Sequence, residues 1–446
     1  MNPMFQAHRD AFLAQLTERR AAALVFSGEA PTRNHDCDFV FRPNSDFFYL
    51  TGFREPSCAL LLLPNGDGTP ESPQSILFLR ERDPAMETWH GRRLGVERAA
   101  KAVGVDLALP FRGLWTELRD YLKGYESLVS ATGLDKARDG CLLDVLDKLR
   151  GSVRGGIKAP ASLEHPRESL HELRLFKDDA EVALLRKAAA VTLDAHTAAM
   201  AASAPGVNER ELDALINYEF SRKGGTGAAY NNIVAGGDNA CILHYVENDQ
   251  PLQDGDLCLI DAGCEWDFYA SDVTRTFPIN GHFSDAQRAL YQIVLDAQMA
   301  AIDKVRSGTP FNEYHDTATR VLCAGLVDLG IIEGPLDEAL EDERYLPYTI
   351  HRTGHWMGLD VHDQGSYAGE EGPRPFAPGM VVTVEPGIYI PLDCKDVEER
   401  WRGIGIRIED DILLTKDGIE NLSDGIPKTI EDVEAACAGA AAAVTA

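Results

Sequence analysis

The stretch that most constrains this 446-residue chain is LCLIDAGCEWDFYASDVTRTFPI, Leu257 to Ile279. An apolar run, Leu257 to Ile260, has the character of a buried strand and ends on Asp261. Side chains alternate between the two faces of a strand, so Leu257, Leu259 and Asp261 share one face. In the second run Phe268, Ala270, Asp272 and Thr274 share a face, with Tyr269, Val273 and Phe277 opposite. Gly263 supplies a turn between the runs, which predicts a β-hairpin. Asp261 before Ala-Gly also fits ordinary turn chemistry. Asp272 does not, because an unpaired buried carboxylate costs several kcal/mol and needs a proton or a cation. Its partner has to come from elsewhere in the chain.

Three more segments break the core pattern in the same way. VVTVEPGIYI (381–390) reads as a strand ending on Glu385, before Pro386 and Gly387. GIGIRIEDDILL (403–414) alternates, with Ile404, Ile406 and Ile408 on one face and Gly405, Arg407 and Glu409 on the other. HRTGHWMGLDVHD (351–363) carries His351, His355 and His362. A step of four puts His351 and His355 on one face of a helix or a strand. Gly354, Gly358 and Thr353 disfavour helix, and the helical zinc pair with an intervening Glu is absent. A bend at Gly358 would bring His362 round to His355. Each feature has an ordinary reading alone: a turn-flanking Glu385, a strand-end Glu409, satisfied core histidines. Taken together, four carboxylates and an imidazole at strand positions point to metal. Asp261, Asp272, Glu385 and Glu409 carry four negative charges, which two divalent cations balance. An oxygen-rich set with one imidazole suits Mn2+, Co2+ or Fe2+ better than a thiolate-type zinc site. Two such ions about 3.5–4 Å apart can share a bridging hydroxide.

The rest of the chain sets the frame. Its length predicts two or three domains. At 44% apolar and 26% charged it reads as an ordinary soluble globular protein. No apolar run approaches the ~20 residues that span a bilayer, and the charged N-terminus carries no secretory h-region. Nine scattered cysteines without a C-x-x-C pair read as reduced, mostly structural thiols, which predicts a cytoplasmic protein. A net charge of -28 argues against nucleic acid and anionic membrane as partners. Residues 1–172 mix short apolar runs with helical patterns, predicting an α/β domain. AALVFSG, FFYLTGF, CALLLLP and SILFLR read as strands, and 158–172, rich in Pro and charge, reads as a linker or domain boundary. Residues 173–436 read as a second domain, in which the order helix, helix, strands occurs twice within 177–420, suggesting an internal duplication. Residues 437–446 form an Ala-rich tail, expected to fray.

The five residues resemble the metal centre of the pita-bread metallopeptidases, which include methionine aminopeptidase, prolidase and aminopeptidase P. The family's ligand order Asp, Asp, His, Glu, Glu falls on Asp261, Asp272, His355, Glu385 and Glu409. HRTGHWMGLDVHD is similar to the signature of the prolidase and aminopeptidase P branch, with Arg352 and Met357 as departures. PTRNHDCDFVFRPNSDFFYLTGFREP (31–56) and ETWHGRRLG (87–95) resemble the N-terminal domain of bacterial aminopeptidase P. The resemblance implies an α/β N-terminal domain followed by an α+β pita-bread (creatinase/aminopeptidase-like) catalytic domain. It implies two divalent ions, Mn2+ foremost, and hydrolysis of the N-terminal Xaa-Pro bond of peptides through a metal-bridging hydroxide. Asp261 would bind one ion, Asp272 and Glu409 both, and His355 and Glu385 the other, with Glu385 also the proton shuttle. His244 and His362 would steady the tetrahedral intermediate and hold the scissile amide. His351 would line the proline pocket, Arg407 would support ligands or substrate, and Tyr389 would offer a nearby hydroxyl. Asp38 and Trp89 would reach a neighbouring subunit's site in a dimer or tetramer, and Arg374 is a further candidate. The alternatives are a prolidase limited to dipeptides, a methionine aminopeptidase (disfavoured by the N-terminal domain), a non-enzymatic peptide-binding relative, and a creatine-type amidinohydrolase, which lacks the metal set.

Overall fold

The computed structural model describes residues 2–443, and the chain divides into two compact units, Met1–Arg174 and Leu175–Ala446. The N-terminal unit is built on a mixed six-stranded sheet. Its order is Leu107–Pro110, Ser75–Leu79, Ala59–Leu62, Ala21–Phe26, Ser127–Val129 and Ser162–Glu164. AALVF, ALLL and SILFL are buried almost throughout, as continuous apolar runs are when both faces of a sheet are covered. Leu24, Leu61, Phe78 and Leu128 share one core with Leu118 and Leu146 of helices Leu114–Tyr121 and Lys136–Arg150.

Two expectations fail in this unit. FFYLTGF is not a strand: it lies on helix Ser45–Thr51, which Asn44 caps by accepting from the Asp46 and Phe47 amides. Gly52 ends the helix in the left-handed region at φ 62°. A short run of wholly buried residues has no period that separates helix from strand, and here the caps decide. As a linker, 158–172 also fails, since it contains strand Ser162–Glu164, parallel to Ser127–Val129, although the division between the units falls just after it, at Arg174. His171 within it and Arg174 just after it are buried against Asp46: Arg174 Nη1 donates to Oδ1 at 2.7 Å, and His171 Nε2 lies 3.0 Å from Oδ2.

In the second unit, helices Asp179–Ala202 and Glu209–Arg222 precede one group of strands, and helices Asp285–Ile302 and Asn312–Asp328 precede the other. Three of the four start with capping boxes, on Asp178 with Glu181, Asn208 with Glu211, and Ser284 with Gln287. In the first group, strand Leu257–Asp261 runs antiparallel between Ile233–Gly236 and Thr274–Pro278. In the second, Val381–Val384 pairs with Asp410–Thr415, and Gly387–Ile390 with Ile404–Arg407. Ile216, Phe220, Ile260, Phe277, Leu290, Leu322, Val382 and Ile412 belong to one buried core.

The strands that carry the carboxylates are more broken than their sequence predicts. The chain reverses not at Gly263 but at Asp267 and Phe268, both at positive φ (50° and 70°), joining Cys264–Trp266 to Tyr269–Ala270. Gly263 meets a different demand: a Cβ there would lie 1.7 Å from the Ser271 carbonyl oxygen. Asp272 sits in the gap between Tyr269–Ala270 and Thr274–Pro278, Glu385 between Val381–Val384 and Gly387–Ile390, and Glu409 between Ile404–Arg407 and Asp410–Thr415. A residue in such a gap leaves the ladder, so its amide needs another acceptor. The Glu385 amide donates to the Thr353 carbonyl (2.8 Å), the Glu409 amide to the Thr274 carbonyl (3.1 Å), and the Asp272 amide to Asp411 Oδ2 (3.1 Å). At the C-terminus, helix Ile430–Ala443 runs on into the tail that was expected to fray, since alanine is the best helix former. Residues 444–446 of that tail lie outside the described residues. Among the described residues, none of the nine cysteines is in a disulfide, and no helix is long and apolar enough to cross a membrane.

Candidate metal centre

The strand gaps open onto one cavity of about 320 Å³ in the second unit. Asp261, Asp272, His355, Glu385 and Glu409 line it, with His244, His351, His362 and Arg407. The register explains the convergence. Asp261 pairs with Thr274 across the first strand pair, and Val384 with Asp410 across the second. Glu385 therefore lies just after a paired strand end, and Asp272 and Glu409 just before one. His355 comes from a loop laid along Val381–Val384: Trp356 bridges to Val382, and the Thr383 amide donates to the His355 carbonyl at 3.0 Å. Gly354 allows that approach, because a Cβ there would lie 2.0 Å from the Thr383 carbonyl oxygen.

The tautomer of His355 follows from its contacts. Its Nδ1 lies 3.0 Å from the Trp356 carbonyl oxygen, which can only accept, so Nδ1 carries the hydrogen. The Nε2 lone pair then faces Asp272 Oδ2 at 3.3 Å and Glu385 Oε1 at 3.7 Å. Acceptor faces acceptor unless a proton or cation lies between them. One ligand atom each from Asp272, His355 and Glu409 lie within 4.8 Å of one another. Asp261 is held from both sides: Tyr230 donates to Oδ1 and Arg407 Nη2 to Oδ2, each at 2.6 Å. Thr274 Oγ1 donates to Glu409 Oε2 at 2.6 Å.

The electrostatics point the same way. Burial pushes the Glu385 carboxyl up to about 7, against the pull of His355 and Arg407. Burial, then Asp272 and Glu385, holds Glu409 well above the usual carboxylate range. Burial also raises Asp261, although Arg407 opposes it. Asp272 goes down: burial opposes this, but His355 outweighs it. Burial would lower His355, yet Asp272 and Glu385 carry it up to about 9. Among the described residues, only His355 and Arg407 set positive charge directly against these four carboxylates. Four buried carboxylates with one correctly oriented Nε2 fit divalent cations in donor type and in charge.

The other sequence candidates fall into three groups. His351 is neutral: burial, then Arg407, presses its pKa down to about 4. Its Nδ1 donates to the Arg352 carbonyl (2.8 Å), so Nε2 accepts from Tyr389 Oη at 2.7 Å. Tyr389 in turn accepts from Arg407 Nη1 at 3.0 Å. His244 and His362 line the same cavity, and the His362 ring meets His355 edge-on at 4.1 Å between centroids. Asp38 and Trp89 lie exposed on the N-terminal unit, Trp89 on helix Pro84–His90. Arg374 donates its amide to the Tyr367 carbonyl at 2.9 Å and does not line this cavity. Sequence reasoning missed Tyr230 and Thr274. Thr274 was readable as sharing a face with Asp272. Tyr230 was not, since only the pairing of Ile233 with Asp261 brings its loop to the site.

Comparison with known proteins accords with this geometry. The model of metallopeptidase family M24 matches residues 183–416, and that of the aminopeptidase P N-terminal domain residues 5–129. The Xaa-Pro aminopeptidase of Escherichia coli strain K12 is 44% identical over 97% of this chain and 96% of its own length. Pseudomonas aeruginosa aminopeptidase PepP superposes with a TM-score of 0.94 at 44% identity, covering 98% of each chain. Zinc-substituted E. coli aminopeptidase P in complex with product superposes at 0.93, with 44% identity over 99% of each chain. The chain therefore belongs to metallopeptidase family M24 and, within it, to the Xaa-Pro aminopeptidases, and is a metal-dependent hydrolase.

Proposed function

We propose that the cavity removes the first residue of peptides whose second residue is proline, with two divalent ions, Mn2+ by preference, held by Asp261, Asp272, His355, Glu385 and Glu409. The observation that carries the reading is the His355 Nε2 lone pair facing carboxylates in a buried cavity. Divalent ions at such a site supply acidification of water to a pKa near 7 and polarisation of a carbonyl.

The chain's own residues do the rest. An Xaa-Pro bond is a tertiary amide, and its nitrogen leaves only once protonated. Glu385, a carboxylate lining the cavity beside His355, is placed both to take the proton of the attacking water and to return it to that nitrogen. His244 and His362 supply donors to the developing oxyanion. Neutral His351, pinned by Tyr389 and Arg407, offers a ring face to the proline. Arg407 also fixes Asp261, which ties the metal side of the site to the proline side. In the same reading the chain is a cytoplasmic homo-oligomer, dimer or tetramer, in which exposed Asp38 and Trp89 serve a neighbouring subunit's site. Nucleic acid and membrane are not partners.

The test is release of the first residue from an Xaa-Pro-Yaa tripeptide with and without Mn2+, repeated with Glu385→Ala and with the Xaa-Pro dipeptide. Metal-dependent cleavage of the tripeptide, nearly abolished in the variant, is expected. Cleavage of the dipeptide alone would assign a prolidase, and equal rates in both proteins would remove Glu385 from the mechanism.

A further inference from the structure

We infer that Glu209 is a positioning residue for His244; the inference rests on the catalytic reading above. His244 stands in the long connection between strands Ile233–Gly236 and Leu257–Asp261, whose regular structure is one 3-10 turn, Gly237–Cys241. Such a loop costs conformational entropy to hold still, and His244 itself is exposed to the cavity. What holds the loop lies on the other side of it. Glu209 is the first residue of helix Glu209–Arg222, and no part of it is exposed.

Its carboxylate gathers four donors from the loop and its root. Oε1 accepts from the Gly236 amide (2.8 Å) and Asn239 Nδ2 (3.0 Å). Oε2 accepts from Tyr245 Oη (2.8 Å) and the Gln250 amide (2.9 Å). The Glu209 amide donates to the Gln250 carbonyl at 2.9 Å, closing the clamp. The four donors run from the root of the loop at Gly236 through Asn239 and Tyr245 to Gln250, and Tyr245 is the residue next to His244. The Tyr245 ring is buried in a small core with Ile233, Leu259 and Tyr389, and Tyr389 holds His351. Glu209 thus sets Tyr245, and Tyr245 sets the backbone from which His244 projects.

Glu209→Gln is the sharp variant. Whichever way the amide turns, its NH2 faces a backbone amide, that of Gly236 or of Gln250, which cannot turn to accept. On the Mn2+-loaded protein and an Xaa-Pro-Yaa tripeptide, kcat is expected to fall about 10- to 100-fold, the scale of a small misplacement of a catalytic group. In a His244→Ala background the same change is expected to cost less than about twofold, because residues acting in series are not additive. Equal losses in both backgrounds, or none in the parent, overturn the inference. Should Glu209→Gln fold poorly by thermal unfolding, Tyr245→Phe removes one donor and keeps the ring; its loss of rate must likewise vanish with His244→Ala. A readout independent of turnover is the His244 ring resonance, assigned by its absence in His244→Ala. It is expected to shift in Glu209→Gln while that of His351 stays, and an unmoved His244 resonance sinks the positioning role. If His244→Ala leaves activity intact, the assigned role of His244 fails, and the resonance still decides whether Glu209 sets its position.

Discussion

Glu409 and Asp410 are neighbours in the chain, both buried, and their carboxyls are driven in opposite directions. Glu409 faces the cavity with Asp272 and Glu385, and is held well above its ordinary range by burial and by those charges. Asp410, the first residue of strand Asp410–Thr415, turns away from the cavity toward Arg275 and Lys428. Arg275 Nη2 donates to its Oδ1 at 2.7 Å, and Lys428 Nζ to its Oδ2 at 2.6 Å. Gln298, Asn421 and Ser423 add further donors. Burial would raise Asp410, but Arg275 and Lys428 outweigh it and hold it far below the usual range. The charge of Asp410 is neutralised by the chain; that of Glu409 is left for something the chain does not encode. Compensation within the sequence marks structure, and its absence in an equally buried place marks function.

The largest effect expected from breaking this contrast is on catalysis. Glu385→Gln keeps the size of the side chain and removes its proton chemistry. The Xaa-Pro rate should fall by about 10²- to 10⁴-fold, while the unfolding free energy of the metal-free protein holds or rises. A variant that unfolds more easily but turns over normally would put Glu385 on the structural side of the contrast.

Next comes stability at Asp410. Asp410→Asn leaves Arg275 and Lys428 with one formal charge fewer between them. Removing one partner of a buried ionic network costs about 3–5 kcal/mol, read by urea unfolding in EDTA. Glu409→Gln, one residue away, should show no such loss without metal, because it removes a carboxyl already disfavoured as an anion. Equal destabilisation by the two changes would erase the distinction.

Much of this was legible beforehand, and the reason it was legible is the same contrast. Asp261, Asp272, Glu385 and Glu409 stand out because carboxylates interrupt apolar runs. Helices such as Asp179–Ala202 stand out because cap and period agree. The strand gaps were not legible. Alternation through Ile408 and Glu409 looks unbroken in one dimension, and only the partner strands show where the ladder stops. Helix Ser45–Thr51 was hidden by uniform burial, and Tyr230 by a pairing that spans many residues. The Glu209 clamp was equally hidden, since a Glu at a helix start looks like a response to the dipole alone.

A third difference is in the sign of the pH dependence. A carboxyl whose folded pKa is raised contributes full stability below its unfolded pKa and loses it as pH rises through the folded value. For Glu385 that window runs from the ordinary 4.5 up to about 7. The metal-free protein should lose a few kcal/mol across it, and saturating Mn2+ should remove or reverse the slope. An unchanged slope with Mn2+ present would mean that the ions do not meet these carboxylates.

The smallest effect belongs to the N-terminal unit, where Asp46 repeats the logic of Asp410 on a lesser scale. Burial raises its carboxyl, but His171 and Arg174 outweigh that and bring it from 3.8 down to about 2. A depressed folded pKa gives stability that is complete above the unfolded value and is lost as pH falls through the folded one. The window therefore lies between about pH 4 and pH 2 and amounts to roughly 2 kcal/mol, opposite in sign to the slope from Glu385. Two units need not unfold together, so the measurement should be local: hydrogen exchange of the amides in helix Ser45–Thr51 at a series of pH values. Protection, corrected for intrinsic exchange, should weaken on acidification below pH 4 in the parent and lose that dependence in Asp46→Asn. If protection there were as pH-sensitive in the variant as in the parent, some other carboxyl would be responsible for the slope.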